Sequence, residues 1–231
     1  MPSSSENKGK SFSKWIKAIF HSKETSPNLE SKFNTIYEKN LFKGKESISG
    51  PGSDLKQTQV IIDKLPELLK RYDIKSMIDA PCGDFFWMRE VNLSQVKYIG
   101  IDIVSELVIK NNSEFKSENR EFISMNIVGD SLPKADVIFS RDCLVHLSNE
   151  MVRKAILNFK RSGSTYLLTT TFSGRKSNAD LRNIIWRPLN LCLPPFSFPQ
   201  PIELLVEECT EGNGQYSDKC LGLWKLSDLQ G

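Results

Sequence analysis

The segment Met77-Ile78-Asp79-Ala80-Pro81-Cys82-Gly83-Asp84 constrains the fold of this chain more than any other. It reads as a short buried strand ending in an acid, then a tight turn and a helix start. Twenty-three residues after Asp79 a second apolar strand, Tyr98-Ile99-Gly100-Ile101-Asp102, ends in another carboxylate. Runs rich in Ile, Val, Phe, Leu and Thr recur at Ser76–Ala80, Tyr98–Asp102, Glu121–Met125, Asp136–Ser140 and Thr165–Thr171. Helical patterns lie between them near Phe85–Val91, Ser105–Asn111 and Ser148–Arg161. In the last, Met151, Val152, Ala155, Ile156 and Phe159 share one face and Ser148 stands ready to cap it. This alternation predicts an α/β fold with a doubly wound, mostly parallel sheet and helices on both faces. Ile202–Cys209 and Leu221–Leu226 add two strands joined through Gly212, Gly214 and Asp218. The prediction is thus a seven-stranded sheet with an antiparallel edge.

Ahead of this core the pattern changes. Phe12, Trp15, Ile16, Ile19 and Phe20 fall on one helical stripe ringed by Lys10, Lys14, Lys17 and Lys23. Such a segment either packs on the domain or a partner protein, or lies on an anionic membrane surface. Ser22 to Glu30 reads as a linker broken at Pro27, so residues 1–30 form a basic tail and residues 31–231 one domain. Within the domain, 31–72 form a helical cap, 73–171 the core, and 172–231 an acceptor-side lid with the last strands. Phe33, Ile36, Tyr37 and Leu41 fit a short helix in that cap. Ser53 or Asp54 caps a longer one that Pro66 bends or restarts and that ends near Tyr72.

The formal net charge is +3. Residues 1–23 hold five lysines against one glutamate, which leaves 26 basic and 27 acidic residues in the remainder. A near-neutral domain argues against a nucleic-acid substrate. Five scattered cysteines without a C-x-x-C pair read as free thiols of a reducing, cytoplasmic setting, and no metal-ligand spacing joins them to His21 or His146. No apolar run is long enough to span a membrane, and the start lacks the apolar core of a secretory signal. Nothing in the sequence fixes the oligomeric state.

Open parallel sheets bind ligands outside the carboxyl ends of their strands, where strand order reverses. An acid at the end of the second strand can accept hydrogen bonds from both hydroxyls of a ribose, and Gly83 lets the backbone come close to a ligand. The dinucleotide fingerprint G-x-G-x-x-G is not met, because Pro81 and Phe85 occupy glycine positions. Asp84 at the helix start opposes a pyrophosphate and suits a ligand carrying an amine and a sulfonium, which favours S-adenosyl-L-methionine.

On these residues the chain resembles the class I (Rossmann-like) S-adenosylmethionine-dependent methyltransferases. Their first motif has the form acidic-x-Gly-x-Gly, here Asp79 to Gly83 with Pro81 in place of the first glycine. Their second is the strand-end acid, here Asp102, and the block Asp136 to Leu147 has the form of their fourth-strand segment. The resemblance runs from about Ser31 to Leu226. It implies that Asp79, Ala80, Pro81, Cys82, Gly83, Asp84 and Trp87 surround the methionine end of the cofactor. It sets Asp102 and Ile103 at the ribose, and Asn126 and Ile127 at the adenine. Ser53, in the loop Ser47–Ser53, would close over the cofactor carboxylate, and Arg141 and Asp142 would line the methyl-transfer face.

Bland readings stand beside these. Asp79 could cap the following turn, Asp102 could be a simple helix cap, His146 could make a structural hydrogen bond, and Cys82 and Cys143 could be small buried fillers. Asp142 and His146 are the candidate general bases. The fifth strand reads Thr169-Thr170-Thr171-Phe172 without a carboxylate cluster, which predicts metal-independent transfer. Trp186-Arg187-Pro188-Leu189-Asn190 and Pro194-Pro195-Phe196-Ser197-Phe198-Pro199 form either an aromatic acceptor lid, with Arg175, Arg182 and Arg187 nearby, or an irregular cover under the sheet. The S-x-S-G-P-G-S loop, the D-A-P-C-G-D turn and the W-R-P-L-N segment resemble bacterial-type enzymes of glycan or small-molecule modification. That points to a sugar hydroxyl as acceptor, with protein or RNA methylation and an inactive cofactor-binding module as alternatives.

Overall fold

The computed structural model describes residues 26–181 and 186–230. The amphipathic stripe over residues 10–23 and Arg182 lie outside the described residues.

Helix α1 spans Ser26–Glu38. It begins inside the expected linker, because a proline in the first helical turn forfeits only an amide that has no partner there anyway. Helix α2, Leu55–Arg71, continues through Pro66 instead of restarting. A mid-helix proline costs about 3 kcal/mol. Burial of Ile61, Leu65, Leu68 and Leu69 on one face returns about 1.5–3 kcal/mol for each side chain and outweighs it. Asp54 occupies the N-cap position but makes no side-chain cap bond; the Leu55 amide donates instead to Glu46 Oε2 at 3.0 Å.

Seven strands follow: β1 (Ser76–Asp79), β2 (Lys97–Asp102), β3 (Arg120–Ser124), β4 (Val137–Ser140), β5 (Tyr166–Phe172), β6 (Glu203–Val206) and β7 (Lys219–Lys225). Their order is β3-β2-β1-β4-β5-β7-β6. The first five run parallel, and β7 pairs antiparallel with both β5 and β6. Helix α3 (Ser105–Phe115) links β2 to β3, and α4 (Asn149–Arg161) links β4 to β5. As the sequence predicts, Ser148 caps α4, its Oγ accepting from the Met151 amide at 3.3 Å.

Strand periodicity splits the core into two layers. Ile78, Ile138 and Leu167 face one way, onto Val152, Ile156 and Phe159 of α4. Met77, Val137 and Leu168 face the other way, onto Ile61 and Leu65 of α2. Phe196 and Phe198 belong to the first layer, Phe198 edge-on to Trp224 at 5.5 Å. The Pro-rich segment is therefore a cover on the sheet at these two residues and not a lid.

The helix expected over Phe85–Val91 is absent: only Met88–Glu90 form one 3-10 turn. Phe85 has φ +56°, outside any right-handed helix. Its ring is locked between Tyr98, Phe115 and Phe122 at centroid separations of 5.1, 5.3 and 5.2 Å. Those contacts hold the backbone in a region that L-residues avoid. Among the described residues no helix is long and apolar enough to cross a membrane.

Candidate functional site

β1 and β4 are neighbours whose connections leave in opposite directions, so a crevice opens at their carboxyl ends. A cavity of about 570 Å³ lies there. Of the residues expected to bind the cofactor or to act in catalysis, all line it except Ala80, which is fully buried in the core with its amide bonded to the Phe139 carbonyl at 2.9 Å.

Two buried carboxylates mark one side of the cavity. Asp79, at the end of β1, accepts the Tyr98 hydroxyl at 2.6 Å. Burial pushes its carboxyl up to about 8 against the lowering effect of that bond, and the nearby Asp102 adds to the rise. Asp102, at the end of β2, accepts the Gly83 amide at 3.0 Å and the Val104 amide at 2.9 Å on separate oxygens. Burial raises it to about 6, with those amides pulling the other way. It does not cap α3, whose N-cap position is Val104 without a side-chain cap bond; it ties down the turn after β2, and its carboxylate has acceptor capacity beyond these two amides.

The turn between them is tight. The Ala80–Pro81 peptide is cis, and Gly83 has φ +54°. Its left-handed backbone favours glycine, and a Cβ there would stand 2.3 Å from Ser49 Oγ, which would have to rotate away. Asp84 lines the cavity, yet its carboxylate also serves the chain itself. It accepts Ser47 Oγ and the Ile48 amide, each at 2.9 Å, and so ties the loop of residues 47–53 across the crevice. Cys82 and Cys143 are buried, and burial raises both thiols, Cys143 to about 12. At the adenine position Asn126 turns inward on its own segment: its Oδ1 accepts the Val128 amide at 2.9 Å, and its amide donates to Asp130 Oδ2 at 2.8 Å. The acceptor half of that side chain is engaged locally. Ile103, Met125 and Ile127 supply apolar walls nearby.

The other side of the cavity holds an arrangement that the sequence did not disclose. Arg141 donates Nε and Nη2 to Glu207 Oε2 at 3.2 and 2.8 Å, and Nη2 also reaches the Gly52 carbonyl at 2.9 Å. Its guanidinium lies over the Trp87 ring at 5.5 Å. Lys219 Nζ contacts Asp142 Oδ2 at 2.5 Å and Glu207 Oε2 at 3.3 Å. Arg141, Lys219 and Glu207 side chains are each 4% exposed or less and that of Asp142 is 25% exposed, so two cations and two anions balance at the wall of the cavity. Burial opposes ionisation of Asp142, but Lys219 and Arg141 prevail and hold its carboxyl below the usual range. Asp142 Oδ1 is buried without a hydrogen-bond partner. Asp142 also has φ +51°, with its amide bonded to Thr170 Oγ1 at 2.8 Å.

His146 lines the cavity with its ring against Phe42 at a centroid separation of 4.9 Å, and its carbonyl accepts Lys32 Nζ at 3.3 Å. Of the expected acceptor-side residues Trp186 reaches the cavity, stacked edge-on against Tyr216 at 5.0 Å. Arg187 does not. It is 3% exposed and donates to the carbonyls of Val145 and Ala179 at 3.1 and 2.8 Å and to Asn149 Oδ1 at 3.0 Å, a clamp beneath the site. Arg175 is likewise paired, with Asp218 at 3.0 Å. Lys219 and Glu207 were missed because Lys219 begins β7 and Glu207 follows the last residue of β6, where a charge without its partner reads as a strand end. The one available signal was a lysine directly before the buried run Cys220–Trp224.

No sequence-family model matches the chain, and no curated protein matches it in sequence. Solved structures do resemble it. Magnesium protoporphyrin IX methyltransferase from Synechocystis PCC 6803 with bound SAH aligns at a TM-score of 0.58 and 11% identity, covering 87% of this chain and 99% of that one. The same enzyme with bound SAM gives a TM-score of 0.57 at 14% identity, with 88% and 98% covered. The methyltransferase domain of bacterial CtHen1 aligns at 0.42 and 13% identity over 50% of this chain and 66% of its own length. At these identities the likeness is one of fold, and the fold of this chain is the Rossmann-like methyltransferase fold.

Proposed function

We propose that this chain is an S-adenosyl-L-methionine-dependent methyltransferase that transfers the methyl group, without a metal, to an oxygen acceptor, a sugar hydroxyl of a glycan or small molecule. One observation carries the reading. Two strand-end carboxylates, Asp79 and Asp102, are buried at the switch point of a methyltransferase fold, on either side of a turn in which Gly83 has φ +54°. Buried acids of this kind suit a ligand that brings a cation and two hydroxyls, because those groups favour the ionised carboxylates that burial opposes. S-adenosylmethionine brings an ammonium, a sulfonium and a ribose. The solved structures with this fold over nearly their whole length hold SAM or SAH. On the acceptor side, Trp186 and Tyr216 offer aromatic faces, and Asp142 offers an oxygen for a hydroxyl proton.

The chain's own part in the reaction is alignment of acceptor, methyl and sulfur and removal of water from between them. Asp142 and His146 are the candidates to take the acceptor proton. Residues 10–23, with their basic apolar stripe, fit contact with an anionic membrane surface or another protein, in a reducing cytoplasmic setting. Their removal leaves cofactor binding unchanged under this reading.

The test is calorimetric titration with SAM and SAH, followed by release of SAH in the presence of a panel of glycosides, proteins and RNA. Wild type binds both ligands, Asp102→Ala binds neither, and Asp142→Ala or His146→Ala binds but turns over more slowly. Normal binding by Asp102→Ala overturns the site. A second reading, a binding module without turnover, draws on one observation: Asp142 is already salt-bridged to Lys219 and is a weak proton acceptor. Binding without turnover on every class of acceptor favours it.

A further inference from the structure

We propose that Glu207, beyond the end of β6 and outside the cavity lining, is a positioning residue for cofactor binding: through Arg141 it holds the loop of residues 47–53 closed over the crevice. The inference rests on the cofactor reading above but adds to it a residue from the far edge of the sheet.

The loop has two ends to secure. Asp84 fixes the first, through Ser47 Oγ and the Ile48 amide. Arg141 fixes the second, through the Gly52 carbonyl. Ser49, Gly50, Pro51, Gly52 and Ser53 line the cavity between these anchors. Arg141 can hold Gly52 only while its guanidinium is aimed, and Glu207 Oε2 aims it by accepting both Nε and Nη2. The Trp87 ring beneath leaves the guanidinium plane little freedom to tilt.

Neutralising Glu207 changes this balance. Arg141 and Lys219 then keep one salt-bridge partner, Asp142, whose Oδ2 already lies 3.6 Å from Arg141 Nη1 and 2.5 Å from Lys219 Nζ, with Glu211 attracting Arg141 from farther off. Arg141 is drawn toward Asp142 and away from the Gly52 carbonyl. The half of the loop bounded by Gly50 and Ser53 loses its anchor, while the Asp84 end keeps its own. Glu207 touches neither cofactor nor acceptor in this scheme.

The experiment compares the full-length wild type with Glu207→Gln and with the charge-balanced Arg141→Met/Glu207→Leu. Each is titrated calorimetrically with SAM and with SAH, and its amide hydrogen exchange and urea midpoint are measured. Glu207→Gln is expected to bind SAH about tenfold more weakly, the loss of one aimed charge-assisted hydrogen bond. The Ser53 and Asp54 amides, bonded to the Gly50 and Pro51 carbonyls, exchange faster, and Ile48 exchanges as in wild type. The double variant regains the urea midpoint but, with Arg141 gone, neither the affinity nor the wild-type exchange of Ser53 and Asp54. Glu207→Asp, which keeps the charge, recovers part of the affinity. Unchanged affinity and exchange in Glu207→Gln overturn the proposal, as does affinity that follows the urea midpoint across the variants. If wild type binds neither SAM nor SAH, the cofactor reading fails instead, and the exchange of Ser53 and Asp54 still decides whether Glu207 holds the loop.

Discussion

Tyr98 donates its hydroxyl to Asp79 Oδ2 at 2.6 Å, across the seam between β2 and β1 and wholly inside the protein. The bond steadies a carboxyl that burial has raised to about 8. Because the folded value lies above the unfolded one, the native state holds a proton that the unfolded chain gives up. Stability from this group is complete below the unfolded carboxylate range and is lost as pH rises toward about 8. Urea midpoints of wild type should fall between pH 6.5 and 8, by at most about 1.4 kcal/mol per pH unit. Asp79→Asn should flatten that slope. An equal slope in both proteins refutes the assignment. Asp102, raised to about 6, contributes at lower pH and does not confuse this window.

Gly83→Ala meets two obstacles together. Its backbone has φ +54°, and the new methyl stands 2.3 Å from Ser49 Oγ. The left-handed conformation alone costs an alanine about 1–2 kcal/mol. Denaturant unfolding should show at least that loss, and adding Ser49→Gly should return the steric part but leave the backbone part.

Phe85 offers a sharper test of backbone strain. In most settings glycine is less stable than alanine because the unfolded chain gains freedom. At Phe85, with φ +56°, the order should reverse. Both Phe85→Ala and Phe85→Gly forfeit the ring's packing, about 3–5 kcal/mol. The glycine variant should nevertheless be the more stable of the two by about 1 kcal/mol, from relief of the left-handed alanine. Urea midpoints of the two variants decide it.

Lys219→Met removes one of the two cations that hold Asp142 ionised. Leaving a buried carboxylate short of its partner costs about 3–5 kcal/mol. The combination Lys219→Met/Asp142→Asn should recover much of that loss, since it removes the stranded charge as well. The pH dependence follows from the direction of the shift. Asp142 titrates below the usual carboxylate range in the folded protein, so its contribution is present above the unfolded value and fades as pH falls through the folded one. In Lys219→Met acid unfolding should therefore begin at higher pH.

The side of the crevice formed by the strand-end acids was legible along the chain because its parts lie close in sequence. Asp79, Gly83 and Asp102 end or follow apolar strands within one β-turn-β unit, and a buried parallel strand announces itself as a continuous apolar run. Helix α4 was legible for a similar reason, since its apolar stripe and its Ser148 cap are local. The region after Asp84 was not. Its amphipathic pattern suits a helix, but the aromatic rings of Tyr98, Phe115 and Phe122 draw Phe85 inward with φ +56° and end any helix there. Arg187 read as a cation for a ligand and is instead a clamp on backbone carbonyls more than thirty residues away.

By itself, then, the sequence determined the alternating α/β architecture, the strand-end acids and the glycine turn, all written in hydrophobic period and in residues a few positions apart. Tertiary structure alone decided which charges live in the interior. Arg141 and Asp142 meet Glu207 and Lys219 only because β7 returns antiparallel between β5 and β6. A buried ion is tolerable only beside its counter-ion, and that pairing is a property of strand order, which no local stretch of the chain records.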